Sequence, residues 1–372
     1  MDAHPTLYKD RFVAGRLMMN SIIVGNEHAT KLALAANLIG RGFLLTGDPG
    51  FGKTALALAL QKFYRGATSH VTTCTPQLKP SDVTGQEIRN PVTGEREKDP
   101  VTGKFRVDLR KPMLVNIHLV DEINRGTADF QAALLWLTEN GGAWIGDQWF
   151  PLPEPYFFLG TRNYQTDPGT HPMIGPLLNR MAGEAELLMP SRVQLRDLIR
   201  NTDVHRGIFN VQPGVELEEV LPIREFITHM VKSISDPVAD YLIELVLLVY
   251  TRKPDEFNRL DLMPRENDRT KQLRRLRFGQ KRLSAEELKG LPYSKVRELE
   301  VLVRGVSPRV MIWGAHLAAA LAFIEGRDKI DFSDIEEAWC AQTHQLLMRP
   351  VARSYGIEPI HILTAALDLA ER

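Results

Sequence analysis

The 372-residue sequence has little cysteine, no net charge and no long apolar run, and each shortage excludes something. Its two cysteines, Cys74 and Cys340, lie far apart and at no metal-ligand spacing. That rules out a disulfide scaffold and a cysteine-based metal knuckle, so a reduced, cytoplasmic setting is expected. Forty-six basic residues balance 46 acidic ones. No whole-molecule field then draws in nucleic acid or an acidic membrane, and only local patches are left to do so. The longest apolar runs, such as LAAALAFI at 317–324, are too short to cross a bilayer, and the opening MDAHPTLYKD lacks the apolar core of a secretory signal. Hydrophobic content of 44% and charge of 25% are those of a soluble globular chain, here long enough for two or three domains.

Against that ordinary background one stretch stands out, GFLLTGDPGFGKTALALAL at 42–60. The spacing Gly47-x4-Gly52-Lys53-Thr54 is that of a phosphate-binding loop. Glycines let the backbone curl so that successive N–H groups face one concavity, which suits polyphosphate oxygens. Lys53 adds a point charge for the terminal phosphates, and the Thr54 hydroxyl suits a magnesium ion. The stretch expected to line the nucleotide runs Gly47, Asp48, Pro49, Gly50, Phe51, Gly52, Lys53, Thr54 and Ala55. GFLLT reads as the strand before the loop. Leu56, Leu58 and Leu60 after it alternate like a strand, yet Ala and Leu favour helix, and Leu56, Leu60 and Phe63 fall at helical spacing before Gly66, so a helix is predicted.

Helical patterns alternate with short apolar runs through the first half: GFLLT (42–46), HVTTCT (70–75), VNIHLV (115–120), PYFFLGT (155–161) and EAELLM (184–189). That order predicts an α/β domain with a parallel sheet and helices on both faces. From about residue 222 the spacing is helical throughout, which predicts a separate all-helical domain after a Pro- and Gly-bearing link near 205–219. The expected division is 1–212 and 213–372. NPVTGERE (90–97) and DPVTGKFR (99–106) are near-copies, each opening on an Asn/Asp-Pro turn starter; they read as a β-hairpin or paired turns, or else as a plain surface loop. RTKQLRRLRFGQKR (269–282) holds seven basic residues and no acidic one. It reads either as a nucleic-acid or acidic-partner contact or as a solvated face.

VNIHLVDEINR ends an apolar run in two carboxylates. Asp121 at a strand's end suits the magnesium shell, and Glu122 beside it suits polarising an attacking water. The competing reading is a surface acidic pair. His118, in the same strand, reads as a core histidine rather than a ligand. Asn163 closes PYFFLGTRN, either holding the water against the γ-phosphate or simply making a turn.

These motifs, in this order, make the chain resemble the MoxR family of AAA+ ATPases almost end to end. IIVGNEHATKLALAANLIGRGFLLTGDPGFGKT resembles the family's opening, TPQLKPSDVTGQEI the segment after its second strand, and LVDEINRGTADFQAALLWLTENG its metal-site motif and following helix. GTRN resembles its first sensor, GPLLNRM its arginine-finger segment, and VSPRV its second sensor. The resemblance implies a P-loop AAA+ domain with a helical lid and Mg-ATP hydrolysis in a homo-oligomeric ring of six. Arg180 would enter the neighbouring subunit's site, Arg309 would touch the nucleotide from the lid, and Arg125 would sit near the inter-subunit face. Ile23, Val24 and Gly25 match the adenine-side segment. The twin turns fall where the family carries its helix-2 insert, about 86–110, and the basic stretch falls in a lid insertion at about 252–304. The implied output is remodelling, maturation or activation of a protein client, often with a von Willebrand A-domain partner on a separate chain.

Three positions depart from the family's pattern: Gly52 where alanine is usual, Arg162 where glutamine precedes the sensor asparagine, and Asn179 where aspartate precedes the finger. None removes a key group. Arg180 also admits a plainer reading, a helix-terminal charge facing carbonyl dipoles. Two other functions stay open: a nucleic-acid motor, since DEINRG also resembles the restriction motor McrB, and a nucleotide-dependent switch with negligible turnover.

Overall fold

In a computed structural model the described residues are 6–48, 50–163, 171–200, 214–249, 302–348 and 359–370. Pro49, most of the link at 205–219 and the basic run at 269–282 lie outside them. Contacts divide the chain into two compact units, Met1–Phe226 with Ile324–Gly326, and Ile227–Phe323 with Arg327–Arg372.

The first unit opens with helices α1 (Thr6–Ile22) and α2 (Glu27–Leu38), then β1 (Gly42–Thr46), α3 (Lys53–Phe63), β2 (Tyr64–Arg65) and β3 (Ser69–Thr73). Next come β4 (Gly85–Glu87), β5 (Val107–Leu109), β6 (Ile117–Asp121), α4 (Ala128–Asn140), β7 (Gly142–Ile145), β8 (Gln148–Pro151), β9 (Phe157–Arg162), α5 (Gly175–Leu178), β10 (Met181–Glu186) and α6 (Arg192–Arg200). Five strands form one parallel sheet in the order β10-β1-β9-β6-β3. All five apolar runs identified in the sequence are in it. The last begins earlier than its pattern suggested, at Met181, because Met181 and Gly183 pair with Gly42 and Phe43 of β1 across a register shift at Ala182.

The sheet is buried as continuous apolar strands demand: every residue of β1 is inside, and so are the first four of β6. One cluster joins Leu44, Val120 and Phe158 to Ile123, Phe130 and Leu134 of the β6–α4 segment. The α3 pattern resolves as helix, with Leu56, Leu60 and Phe63 buried. Phe63 lies edge-on to Phe12 at 5.1 Å and to Tyr64, and Tyr64 stacks on Phe157 at 4.7 Å. Burying each such ring contributes about 1.5–3 kcal/mol.

The twin turns are a nested hairpin. β4 pairs β5 antiparallel, and isolated bridges join Arg89 to Arg96 and Lys98 to Phe105. Each near-copy closes alike: Asn90 Oδ1 accepts the N–H of Val92 and Thr93, and Asp99 Oδ1 accepts those of Val101 and Thr102. Val92 and Val101 are left exposed at equivalent tips. A second hairpin, β7–β8, was not read from the sequence; its two-residue turn begins at Gly146, φ +62°, which suits glycine at the first turn position.

The second unit holds helices Asp236–Val249, Arg309–Ile324, Phe332–Cys340 and Pro359–Leu369. Asp331 caps the third by accepting the N–H of Ser333 and Asp334, and Trp339 Nε1 donates to Leu363 O at 3.0 Å. The expected helix through DIEEAWCAQTHQLLM is shorter, because Leu347–Met348 instead pairs with Leu302–Arg304 in a small antiparallel ladder. Among the described residues no helix is long and apolar enough to cross a membrane.

His118 is a core residue. Its Nε2 meets Thr72 Oγ1 at 2.9 Å and its Nδ1 meets Tyr156 Oη at 3.2 Å. Burial first, and His70 second, push its pKa down to about 3. Unfolded, the ring takes a proton below about 6.5, so between those values the unfolded state holds the extra proton and stability falls as pH falls. The expected slope is about 1.4 kcal/mol per pH unit from this residue. Denaturant titrations from pH 7 to 4 should show that slope flattening by this amount in His118→Gln; an unchanged slope would assign the pH dependence elsewhere.

Candidate active site

The carboxyl ends of β1, β9 and β6 lie side by side, so the segments leaving them meet. After Thr46 the chain turns at Gly47, whose φ of +152° and distance from Leu187 leave no space for a side chain: a Cβ would lie 2.8 Å from Leu187 O. Leu187 N in turn donates to Thr46 O at 2.7 Å, pinning the loop's entry to the exit of β10. Gly50 and Gly52 both stand at φ +89°, with nothing within 4 Å of a notional Cβ. Packing does not require glycine at these two positions; the left-handed backbone does. Asp48, Gly50 and Thr54 are exposed, whereas Gly47 and Lys53 are buried. The loop delivers the chain into α3, whose first-turn N–H groups have no partner within the helix and favour an anion.

Lys53, first residue of α3, turns its ammonium inward. Nζ donates to Gly47 O at 2.6 Å and to Asn163 Oδ1 at 2.8 Å. Asn163, 3% exposed at the tip of β9, donates from Nδ2 to Glu122 Oε1 at 2.9 Å. The amide's orientation is forced, because a flipped group would set donor against ammonium and acceptor against carboxylate. Glu122 Oε2 also pairs with Arg125 Nε at 2.9 Å. Lys53, Asn163 and Glu122 thus form one hydrogen-bonded line, with the Arg125 charge beside its carboxylate end.

Asp121 ends β6, and Glu122 follows at φ 54°, ψ 44°, the only left-handed non-glycine among the described residues. Such a conformation costs an extended acidic residue about 1 kcal/mol or more, and persists only where its surroundings fix it. Three contacts do so. Thr161 Oγ1 accepts the Glu122 N–H at 3.0 Å, Arg125 N donates to Glu122 O at 2.8 Å, and Asn124 Nδ2 donates to Asn163 O at 3.1 Å. Thr161 Oγ1 also donates to Asp121 Oδ1 at 2.5 Å. Cys74, whose N–H donates to Asp121 O, is pushed up to about 12 by burial and then by the Asp121 and Glu122 charges, so it is an inert thiol.

The remaining expected residues are placed less centrally. Thr54 follows Lys53 in the first turn of α3, with Phe51 and Ala55 half-buried beside it. Ile23 is buried, and Val24 and Gly25 are half-buried in the α1–α2 turn. Asn26, unnoticed in the sequence, holds that turn to β10's exit by accepting the Leu188 N–H at 2.8 Å and donating to Leu188 O at 3.2 Å. Arg180, just before β10, pairs with Glu139 of its own chain, at the end of α4 away from Asp121 and Glu122. Arg309 is exposed at the start of its helix in the second unit.

Reading along the sequence also missed a buried charge cluster. Arg162 Nε donates to Glu184 Oε1 at 2.8 Å and to Thr46 Oγ1 at 3.0 Å, while the Thr46 hydroxyl donates to Glu184. It links the tips of β9, β1 and β10. The signal was a glutamate within the apolar run MAGEAELL.

A profile of the ATPase family associated with various cellular activities (AAA) matches residues 42–182. An uncharacterized protein, YeaC of Bacillus subtilis, is 27% identical over 96% of this chain and 92% of its own. Chaperone MoxR1 of Mycobacterium tuberculosis is 29% identical over 65% of this chain, which spans only 59% of that protein. Among solved structures, that of a candidate ATPase from Cytophaga hutchinsonii superposes with a TM-score of 0.69 at 25% identity, covering 97% of both chains.

The buried cluster generates a stability prediction. Removing one member of a buried ion pair leaves the other charge uncompensated, at a cost of about 3–5 kcal/mol. Arg162→Gln and Glu184→Gln should each lower the unfolding free energy measured by urea titration by that order, whereas the double variant should lose less than either alone. Additive losses would show that the pair is not coupled.

Proposed function

We propose that this chain is an AAA+ ATPase of MoxR type that hydrolyses Mg-ATP at the carboxyl edge of its sheet and uses turnover to remodel a protein client. The observation that carries the reading is the unbroken line Lys53–Asn163–Glu122, in which the phosphate loop's cation and the carboxylate for the water share one amide.

On this reading the loop from Gly47 to Ala55 cradles the phosphates with its N–H groups, and Lys53 exchanges Gly47 O for a terminal phosphate oxygen. Glu122 accepts a proton from the attacking water, which Asn163 orients. Thr54 and Asp121 supply hard oxygen donors, the kind magnesium takes in ones and twos beside phosphate. Bound there, the cation would offset charge on the phosphate oxygens. Arg180 leaves Glu139 to reach the neighbouring subunit's nucleotide, so full activity needs a ring, of six by family resemblance. Arg309 serves as the lid's contact, and Ile23, Val24 and Gly25 flank the adenine. A protein client, rather than nucleic acid, is favoured by the relative named a chaperone.

Lys53→Ala should weaken ATP binding tenfold or more, about 1.4 kcal/mol, as read by calorimetry. Glu122→Gln should keep binding and lose about a hundredfold or more in kcat. Arg180→Ala should bind ATP yet turn over roughly a thousandfold more slowly. Mixing Arg180→Ala with Glu122→Gln protein should restore part of the rate. Full activity of Arg180→Ala in a verified monomer would overturn the shared-site reading.

A further inference from the structure

Two residues before Asn163, and on the same face of β9, Thr161 is fully buried and reaches both consecutive carboxylate residues. A hydroxyl has a single proton, and here its destination is settled. The Asp121 carboxylate only accepts, so Thr161 donates to Oδ1; the Glu122 N–H only donates, so Thr161 accepts it. The 2.5 Å separation to Asp121 is that of a charge-assisted O–H to carboxylate bond. The first bond fixes the plane of the Asp121 carboxyl. The second holds the Glu122 backbone where the chain would otherwise relax from φ 54°.

We propose that Thr161 is a positioning residue for the hydrolysis: it sets Asp121 for the metal and Glu122 for the water through one hydroxyl. The proposal rests on the ATPase-site reading above. A β-branched side chain suits this role, since its χ1 is confined and the hydroxyl stays aimed without help. Neighbouring Gly160 supports the placement. A Cβ there would lie 2.9 Å from Leu44 Cδ2, so glycine lets the Leu44 side chain of β1 pack against β9 beside Thr161, with Ile123 at an ordinary contact distance of 3.6 Å. No role passes to Thr161 in the proton transfer itself, because its proton is committed to Asp121.

Thr161→Val keeps the shape and removes both bonds. Saturating turnover is expected to fall about a hundredfold, the size of effect seen when reacting groups are misplaced by an ångström. Binding of a fluorescent ATP analogue in EDTA should be unchanged, while the Mg2+ concentration needed for half-maximal tightening of that binding should rise. Thr161→Ser, which keeps donor and acceptor, should recover most of both losses. If the valine variant does not fold, Thr161→Ala is expected to show the same pattern. Wild-type turnover and Mg2+ dependence in Val or Ala would overturn the proposal. So would an equal loss of metal-free binding, or a serine variant no better than valine, since either would reduce Thr161 to sheet packing. Glu122→Gln run in parallel separates the two levels: if it turns over normally, the site reading fails and takes this proposal with it, whereas an inactive Glu122→Gln beside a normal Thr161→Val removes the proposal alone.

Discussion

One amide stands between opposite charges at the centre of this protein. Asn163 accepts from the Lys53 ammonium and donates to the Glu122 carboxylate, so one side-chain amide serves both charged groups at once. Buried charges are stable only when paired and hydrogen-bonded, so Lys53, 7% exposed, depends on this arrangement together with the Gly47 carbonyl. The site's geometry follows from that need.

The sheet order is what makes the arrangement reachable. β9 lies between β1 and β6, although it comes after both in the chain. The residues leaving its tip therefore sit midway between the phosphate loop and the acidic turn. Thr161 and Asn163 point to the acidic side, and Arg162, between them, turns to the other face and joins Glu184 and Thr46. One strand end thus ties the loop strand, the acid strand and the strand that follows Arg180.

Much of this was legible along the chain. The central sheet strands announced themselves as short apolar runs, because strands buried on both faces carry no polar alternation, whereas edge strand β3 buries only Thr72 and showed through its β-branched residues. The phosphate loop was visible because its chemistry is local: Gly47, Gly52, Lys53 and Thr54 act within one curl of backbone. Asp121 and Glu122 were visible as charges closing an apolar run. The β7–β8 hairpin had a local signal too, Gly146-Asp147 between the short runs that hold Trp144 and Trp149, and it was passed over. The helix expected through residue 348 gave way to pairing with a strand more than forty residues earlier, which no local pattern encodes.

The sequence by itself determined which groups are present and the local shapes they take: glycines where the backbone must be left-handed, a lysine opening a helix, two acids ending a strand. Only the tertiary structure decided how they are shared. That Asn163 bridges two charges, that Thr161 serves both acids with one proton, and that Arg162 finds Glu184 all depend on which strand tips become neighbours. Hydrogen bonds act over about 3 Å, whereas these partners lie 22 to 110 residues apart in the chain; folding of the sheet is what brings them within that range.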